Sequence, residues 1–232
     1  MKYSKYFLLT IFVIILDQTV KLLVHYNMDL GVSGEIRVIG DWFRLHYMLN
    51  EGMAFGMKLN WVYGKVLLTT FRLLASIAGI YILYYYAKKE VHPGLLWSGA
   101  LILAGAIGNV IDSIFYGVLL DNAPYGAPNP WFHGQVIDML YFPIFDFMWP
   151  SWVPFVGGNY FHFFSAIFNI ADASIFIGVC IILIFQKRFF PERHKEETET
   201  ESEVKAETEA AIETEPVIIN DQDSNKNYQQ EP

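Results

Sequence analysis

The chain lacks the equipment of several common chemistries. One cysteine among 232 residues, Cys180, excludes an intrachain disulfide and any cysteine-based zinc site. It sits among apolar neighbours and reads as packing. No Gly-x-Ser-x-Gly surrounds Ser98, Ser113, Ser165 or Ser174, so the serine-hydrolase elbow is missing. The histidines, His25, His46, His92, His133, His162 and His194, are scattered, and none belongs to a His-Glu-x-x-His pair. His162 reads as an interface residue rather than a base. Phosphate-cradling glycine loops and solenoid-type repeats are absent. Charged residues make up only 17% of the chain, and segment 117–162 has no Lys or Arg at all.

What is present is apolar: 53% of the residues are hydrophobic, more than a soluble domain usually carries. The formal charge of −8 is unevenly spread. Residues 191–232 hold thirteen Asp/Glu and four Lys/Arg, so the first 190 residues are close to neutral. This tail, rich in Glu and Thr and poor in aromatics, is expected to be a disordered cytoplasmic extension of a domain covering 1–190.

A membrane helix needs roughly 20 mostly apolar residues. Four stretches qualify: Tyr6–Val24, Val66–Ala87, Leu95–Tyr116 and Phe163–Gln186. The first is expected to stay on the chain, since it contains Asp17 and Lys21 and no small-residue cleavage site follows it. Basic residues near span ends set orientation. Lys2 and Lys5 precede the first span, Lys88 and Lys89 join the second to the third, and Lys187, Arg188, Arg193 and Lys195 follow the fourth. Both termini are therefore predicted to be cytoplasmic, with segments 25–64 and 117–162 outside. Arg37, Arg44, Lys58 and Lys65 make the asymmetry imperfect without reversing it. The β-branched and aromatic residues around Gly40-Asp41 predict a small hairpin within 35–50. In segment 117–162, Trp131, Phe132, Tyr141, Phe142, Trp149 and Trp152 suit a layer on the headgroup zone. The predicted fold is thus an all-α integral membrane protein of four helices with a small extracytoplasmic β-hairpin or irregular cradle.

Ionisable groups inside spans are costly and are functional candidates by default. At about 1.5 Å rise per residue from the cytoplasmic end, Asn109 and Asp112 lie about 21 and 26 Å up the third span. Asp172 and Asn169 lie about 21 and 26 Å up the fourth, Asp17 and Lys21 about 18 and 24 Å up the first, and Arg72 about 24 Å up the second. The inner two-thirds of each span is almost uniformly apolar, whereas a channel or pump wants polar groups along its path. The pattern describes a polar pocket open to the outer side. Asn109-Val-Ile-Asp112 and Asn169-Ile-Ala-Asp172 each place an amide and a carboxylate on one helix face. The plainer reading of these pairs is interhelical hydrogen bonding that holds the bundle together. Asp17 and Lys21 stand four apart, a spacing that permits an ion pair and a structural clamp near the membrane surface.

Two close carboxylates can share one proton. The ionised one takes a proton from water, and the protonated one polarises the amide carbonyl under attack. Asp172 is a natural member of such a pair; Asp112, Asp121, Asp138 and Asp146 are all candidate partners, and spacing does not choose among them. Asp138 is attractive because Val136, Ile137, Met139, Leu140, Tyr141 and Phe142 form an apolar run around it.

Five blocks in order resemble bacterial lipoprotein signal peptidase, also called signal peptidase II, over about residues 10–188. They are Leu16-Asp17-Gln18-Thr19-Val20-Lys21, Asn50-Glu51-Gly52-Met53-Ala54-Phe55-Gly56, Gly105-Ala106-Ile107-Gly108-Asn109-Val110-Ile111-Asp112, Gly134-Gln135-Val136-Ile137-Asp138 and Phe168-Asn169-Ile170-Ala171-Asp172. The resemblance implies an aspartic endopeptidase with Asp138 and Asp172 as catalytic dyad, and Asn50, Gly52, Asn109, Asp112, Asn169, Asp17 and Lys21 in substrate-binding or supporting roles. It implies prolipoprotein substrates cut just before a diacylglyceryl-modified cysteine, and sensitivity to cyclic peptide antibiotics such as globomycin. It also implies a multi-pass protein of the bacterial cytoplasmic (inner) membrane, with its site at the outer leaflet. No metal or organic cofactor and no nucleic acid is expected; the partners are prolipoprotein and membrane lipid, and the chain is expected to act as a monomer. The outer hairpin at 35–56 and segment 141–162 are expected to close over the substrate and limit water.

Two features depart from the family. Ser113 stands where an Arg usually follows the third-helix Asp, removing a charge partner unless Arg44 or Arg72 compensates. Segments 117–133 and 139–164 are longer than in most relatives. The alternative function is a transporter, or a non-enzymatic lipoprotein- or lipid-binding factor using the same polar slab.

Overall fold

The computed structural model describes residues 3–51, 63–89 and 91–191. The chain divides into two units, Met1–Phe189 and Phe190–Pro232. Every element below lies in the first; of the second, only Phe190 and Pro191 are among the described residues. The Met53–Gly56 part of the second block, Gly52 before it, and the acidic tail beyond Pro191 lie outside them.

Among the described residues, three helical stretches are long and apolar enough to cross a membrane: Ser4–Asn27, Gly64–Lys88 and Pro93–Leu119. The first two are α1 and α2. The third is α3 (Pro93–Ile111), a π-helical turn at Asp112–Tyr116, and the short α4 (Gly117–Leu119). Apolar side chains line the outside of these helices: Leu8, Ile11, Phe12 and Ile15 on α1, and Leu67, Phe71, Leu74 and Ile77 on α2, are all exposed. Such a surface suits hydrocarbon and not water.

The fourth apolar helix is shorter than its apolar run suggests. The run predicted a span from Phe163, but α5 covers Ile170–Ile184, 15 residues, and the four-residue α6 (Gln186–Phe189) follows a break at Phe185. The start is set by Asn169. Its backbone is extended, and its side chain accepts a hydrogen bond from the Asp172 amide, capping the helix there. Phe163 and Phe168 belong to strands instead.

An all-α description is therefore too narrow. A four-stranded antiparallel sheet has the order β1 (Ile36–Ile39), β2 (Phe43–Asn50), β3 (Val136–Tyr141), β6 (Ile167–Phe168). A separate two-stranded sheet pairs β4 (Phe145–Met148) with β5 (Tyr160–Phe163). Strand β3 escapes alternation rules because Val136, Ile137, Asp138 and Met139 are all buried, whichever way they point.

The bundle is organised around α3, which packs on α1, α2 and α5. Its seams with α5 and α1 are close: a Cβ on Gly105 would run into the Ala171 carbonyl oxygen of α5, and one on Gly108 would sit 2.9 Å from Asp17 Oδ2 of α1. Small residues at helix contacts let backbones approach within membranes. Hydroxyls add cross-links there, with Ser174 donating to the Leu101 carbonyl at 3.1 Å and Thr10 to the Ala100 carbonyl at 3.1 Å. One apolar core joins Tyr6, Leu83, Leu96 and Leu103. A second, of Val24, Tyr47, Tyr116, Ile137 and Met139, seats the sheet on the ends of α1 and α3.

Candidate active site

Sheet register delivers Asp138 to the start of α5. Asn50 ends β2 opposite Val136, and Met48 faces Asp138. On the other edge of β3, Leu140 pairs with Phe168, so the next residue, Asn169, emerges beside Asp138. Three residues later Asp172 lies in the first turn of α5, where the helix dipole favours a negative charge.

Asp138 is buried. Its Oδ2 accepts from Asn50 Nδ2 at 2.9 Å and its Oδ1 from Asn169 Nδ2 at 2.6 Å. Asp172, half-buried, accepts on Oδ1 from Asn109 Nδ2 at 2.7 Å. The two amides touch in turn, with Asn169 Nδ2 donating to Asn109 Oδ1 at 3.2 Å. The two carboxylates are thus joined through Asn169 and Asn109. Burial, and then the charge of nearby Asp172, push the Asp138 carboxyl up to about 7, against the opposing pull of its bonds from Asn50 and Asn169. A carboxyl near 7 beside a second carboxylate is the arrangement a shared proton requires.

Behind the amides lies a cation with no exposure. Lys21 Nζ is 2.8 Å from Asp17 Oδ2, 2.7 Å from Asp112 Oδ2 and 3.1 Å from Asn109 Oδ1. The expected Asp17–Lys21 ion pair is formed; it is enclosed by the protein and shared with Asp112 of the third helical stretch. The Asn109/Asp112 motif accordingly splits: its amide serves Asp172, while its carboxylate is held by Lys21 and by Gln18 Nε2 at 2.8 Å. Asp17 Oδ1 accepts from the Ala171 backbone N–H at 2.9 Å, tying α1 to the first turn of α5.

Of the four candidate partners for Asp172, Asp138 shares this network directly. Asp112 is engaged by Lys21, and Asp121 is exposed and in none of these contacts. The side chains of Asp146 and His162 lie outside the described residues, as does Gly52. Sequence reasoning gave no role to Gln18 or Tyr116, whose hydroxyl donates to Gln18 Oε1 at 2.9 Å. Gln18 stood inside a quoted block, whereas nothing in the sequence marked Tyr116.

Ser113 is fully buried and brings no charge. Arg44 is taken up on the sheet by Glu35, at 2.9 Å. Arg72 stands on α2. It follows Lys65 and Thr69 along one face of α2, where Thr69 donates to the Phe132 carbonyl and Lys65 to the Glu51 carbonyl.

Apolar-faced helices long enough to cross a membrane, holding two carboxylates linked through two amides, define the class as a membrane protein with a polar site among its helices and sheet. The chain belongs to the signal peptidase II family, whose pattern, described as Signal peptidase (SPase) II, matches residues 9–188. It is 44% identical over 207 residues to the lipoprotein signal peptidase of Amoebophilus asiaticus, covering 88% of this chain and 87% of that one. It is 40% identical over 190 residues to the lipoprotein signal peptidase of Porphyromonas gingivalis, covering 78% and 81%. A solved structure described as a bacterial membrane enzyme superposes with a TM-score of 0.54 at 26% identity, covering 82% of this chain and 91% of that one.

Proposed function

We propose that this chain removes signal peptides from lipid-modified prolipoproteins by aspartic endopeptidase chemistry, cutting before the diacylglyceryl-cysteine. The relatives' shared activity supports the substrate class. The observation that carries the catalytic type is the linkage of Asp138 and Asp172 through Asn169 and Asn109. In this reading Asp138 holds the shared proton and directs it at the scissile carbonyl. Asp172, the more accessible carboxylate, accepts a proton from the attacking water. As the tetrahedral intermediate collapses, Asp172 returns that proton to the leaving nitrogen. Asn50 and Asn109 keep the two carboxylates aimed at one place.

The site is assigned to the outer leaflet, with both termini cytoplasmic and α5 crossing as the fourth span. Supporting this, Lys5, Lys88, Lys89, Lys187 and Arg188 lie toward one end of the helices, and segment 117–162 has no Lys or Arg. The substrate's acyl chains stay in lipid while its cleavage site reaches the carboxylates laterally. The rival reading, a transporter or non-enzymatic lipid-binding factor, draws no support from these relatives.

The test is cleavage of a diacylated lipobox peptide by purified protein, beside an unlipidated peptide and the Asp172→Asn variant. Cleavage confined to the lipidated peptide and lost in the variant is expected. Intact lipidated peptide after prolonged incubation with well-folded protein overturns the assignment.

A further inference from the structure

The β4–β5 hairpin is rooted at the sheet and pairs with no other described strand. It leaves β3 through Phe142-Pro143-Ile144 and returns to β6 through Phe164-Ser165-Ala166, while β4 and β5 hydrogen-bond only to one another. Both roots lie within a few residues of the sheet that sits on the ends of α1 and α3. The hairpin therefore stands where the apolar helix exteriors stop.

Its two faces differ. Successive side chains on a strand point to opposite faces. The register pairs Phe145 with Phe163 and Phe147 with Phe161, so one face is a ladder of phenylalanines. The rings of Phe145 and Phe163 stack at 4.6 Å and 4°, those of Phe147 and Phe161 lie 5.1 Å apart, and Trp149 meets Phe147 edge-on at 4.9 Å. The described residues leave this face partly uncovered: Phe145, Phe147 and Phe163 are 49%, 37% and 42% exposed. At the tip, Trp152 and Phe155 are 80% and 104% exposed. Phe155 adopts a left-handed backbone (φ 66°), uncommon for a bulky side chain, and its ring stands outward. The fifteen residues 147–161 include no Asp, Glu, Lys or Arg.

We infer that this hairpin is an interfacial arm that lies with its phenylalanine face and its Trp152–Phe155 tip in the headgroup and upper acyl region of the bilayer. The occupant of the face is lipid. The face continues from helix exteriors that are already apolar and exposed, it has no charge with which to steer a protein partner, and Trp and Tyr at its ends have the amphipathic rings favoured at that depth. Such an arm would fix the height of β3 and β6, and with them Asp138 and Asn169, against the membrane plane.

The test does not use cleavage, so it stands apart from the peptidase assignment. In the full chain carrying Cys180→Ser, an environment-sensitive fluorophore is attached through Phe155→Cys or, separately, Trp152→Cys. Asp41→Cys, at a charged turn position whose side chain is 73% exposed, serves as the aqueous control. The proteins are reconstituted in phosphatidylethanolamine/phosphatidylglycerol vesicles. At 155 and 152 the expected results are a blue-shifted emission, strong quenching by nitroxides placed high on the acyl chain, and weak quenching by iodide. Emission and iodide quenching equal to those at 41 would overturn the inference. So would protection that disappears on dilution with excess lipid, since that places a second copy of the chain on the face.

Discussion

Asn169 Nδ2 donates to Asp138 Oδ1 at 2.6 Å, while the Oδ1 of the same side chain accepts from the backbone N–H of Asp172 at 2.8 Å. One amide therefore caps the helix that carries one carboxylate and holds the other. The start of α5 and the spacing of the proposed dyad are set by the same residue.

On the proposed mechanism, replacing either carboxylate isosterically removes a proton-transfer group while keeping the side chain's shape. Asp138→Asn and Asp172→Asn are each expected to lower cleavage of a diacylated peptide by about 10²-fold or more, the scale of a positioned proton-transfer group. Circular dichroism and detergent-phase melting should match the parent. A variant with near-parent turnover would remove that residue from the dyad.

Cleavage is expected to fall as pH rises through about 7. Asp138 is pushed up to about 7, so it carries the shared proton below that pH and loses it above. The bond from Asn50 stabilises the ionised form of Asp138, so its removal moves the carboxyl further up. Asn50→Ala should thus carry the alkaline limb to higher pH by about half to one unit, the value of one net hydrogen bond. A pH–rate profile decides it; a limb shifted to lower pH contradicts the proposed roles.

Lys21 has a structural prediction of its own. Removing a fully buried cation leaves Asp17 and Asp112 unpaired. Lys21→Met is expected to cost about 3–5 kcal/mol, and adding Asp112→Asn to recover part of it. Thermal unfolding in detergent reads both; an unchanged melting temperature in Lys21→Met would show that the cluster contributes nothing to stability.

The α3–α5 seam predicts a contrast between two glycines. Gly105→Ala drives a methyl into the Ala171 carbonyl, with Ile175 Cγ1 at 2.6 Å and Ser174 Oγ at 2.7 Å also in the way. Overpacking of this kind costs about 1–3 kcal/mol, and here it displaces the turn that bears Asp172. Gly99→Ala meets only Leu83 Cδ1 at 3.4 Å and should be neutral or stabilising. Melting and cleavage measured together on the two variants check the contrast.

The long helices were legible because twenty-odd apolar residues have few other uses, and α1 to α3 follow the runs to within a few residues. The fourth was misplaced for a local reason. Hydropathy carries no mark of an N-cap, and Phe163–Phe168 is as apolar as the helix that follows. Asn169 was consequently read as lying within a span, when it sits at the threshold of α5. Equal depth did single out Asp17, Lys21, Asn109, Asp112 and Asp172, and these do converge. Depth could not say that Asp112 turns to Lys21 and away from the pocket, because that depends on which side of α3 meets α1. The pairing of Met48 with Asp138 spans ninety residues of chain and leaves no local trace. The alternation of Phe145 and Phe147 against Phe161 and Phe163 was available in the sequence, hidden in a segment whose prolines and glycines suggested irregular structure.

The enclosed Lys21 also bears on how the chain is made. Asp17 and Lys21 leave the ribosome on α1, but Asp112 and Asn109 arrive only with α3, some ninety residues later. Until then the ammonium has one of its two counter-ions and none of its amide, so α1 is a poor resident of hydrocarbon by itself. The first helix is therefore expected to settle only when the third docks beside it, and a chain truncated before Asp112 is expected to be a substrate for membrane quality control.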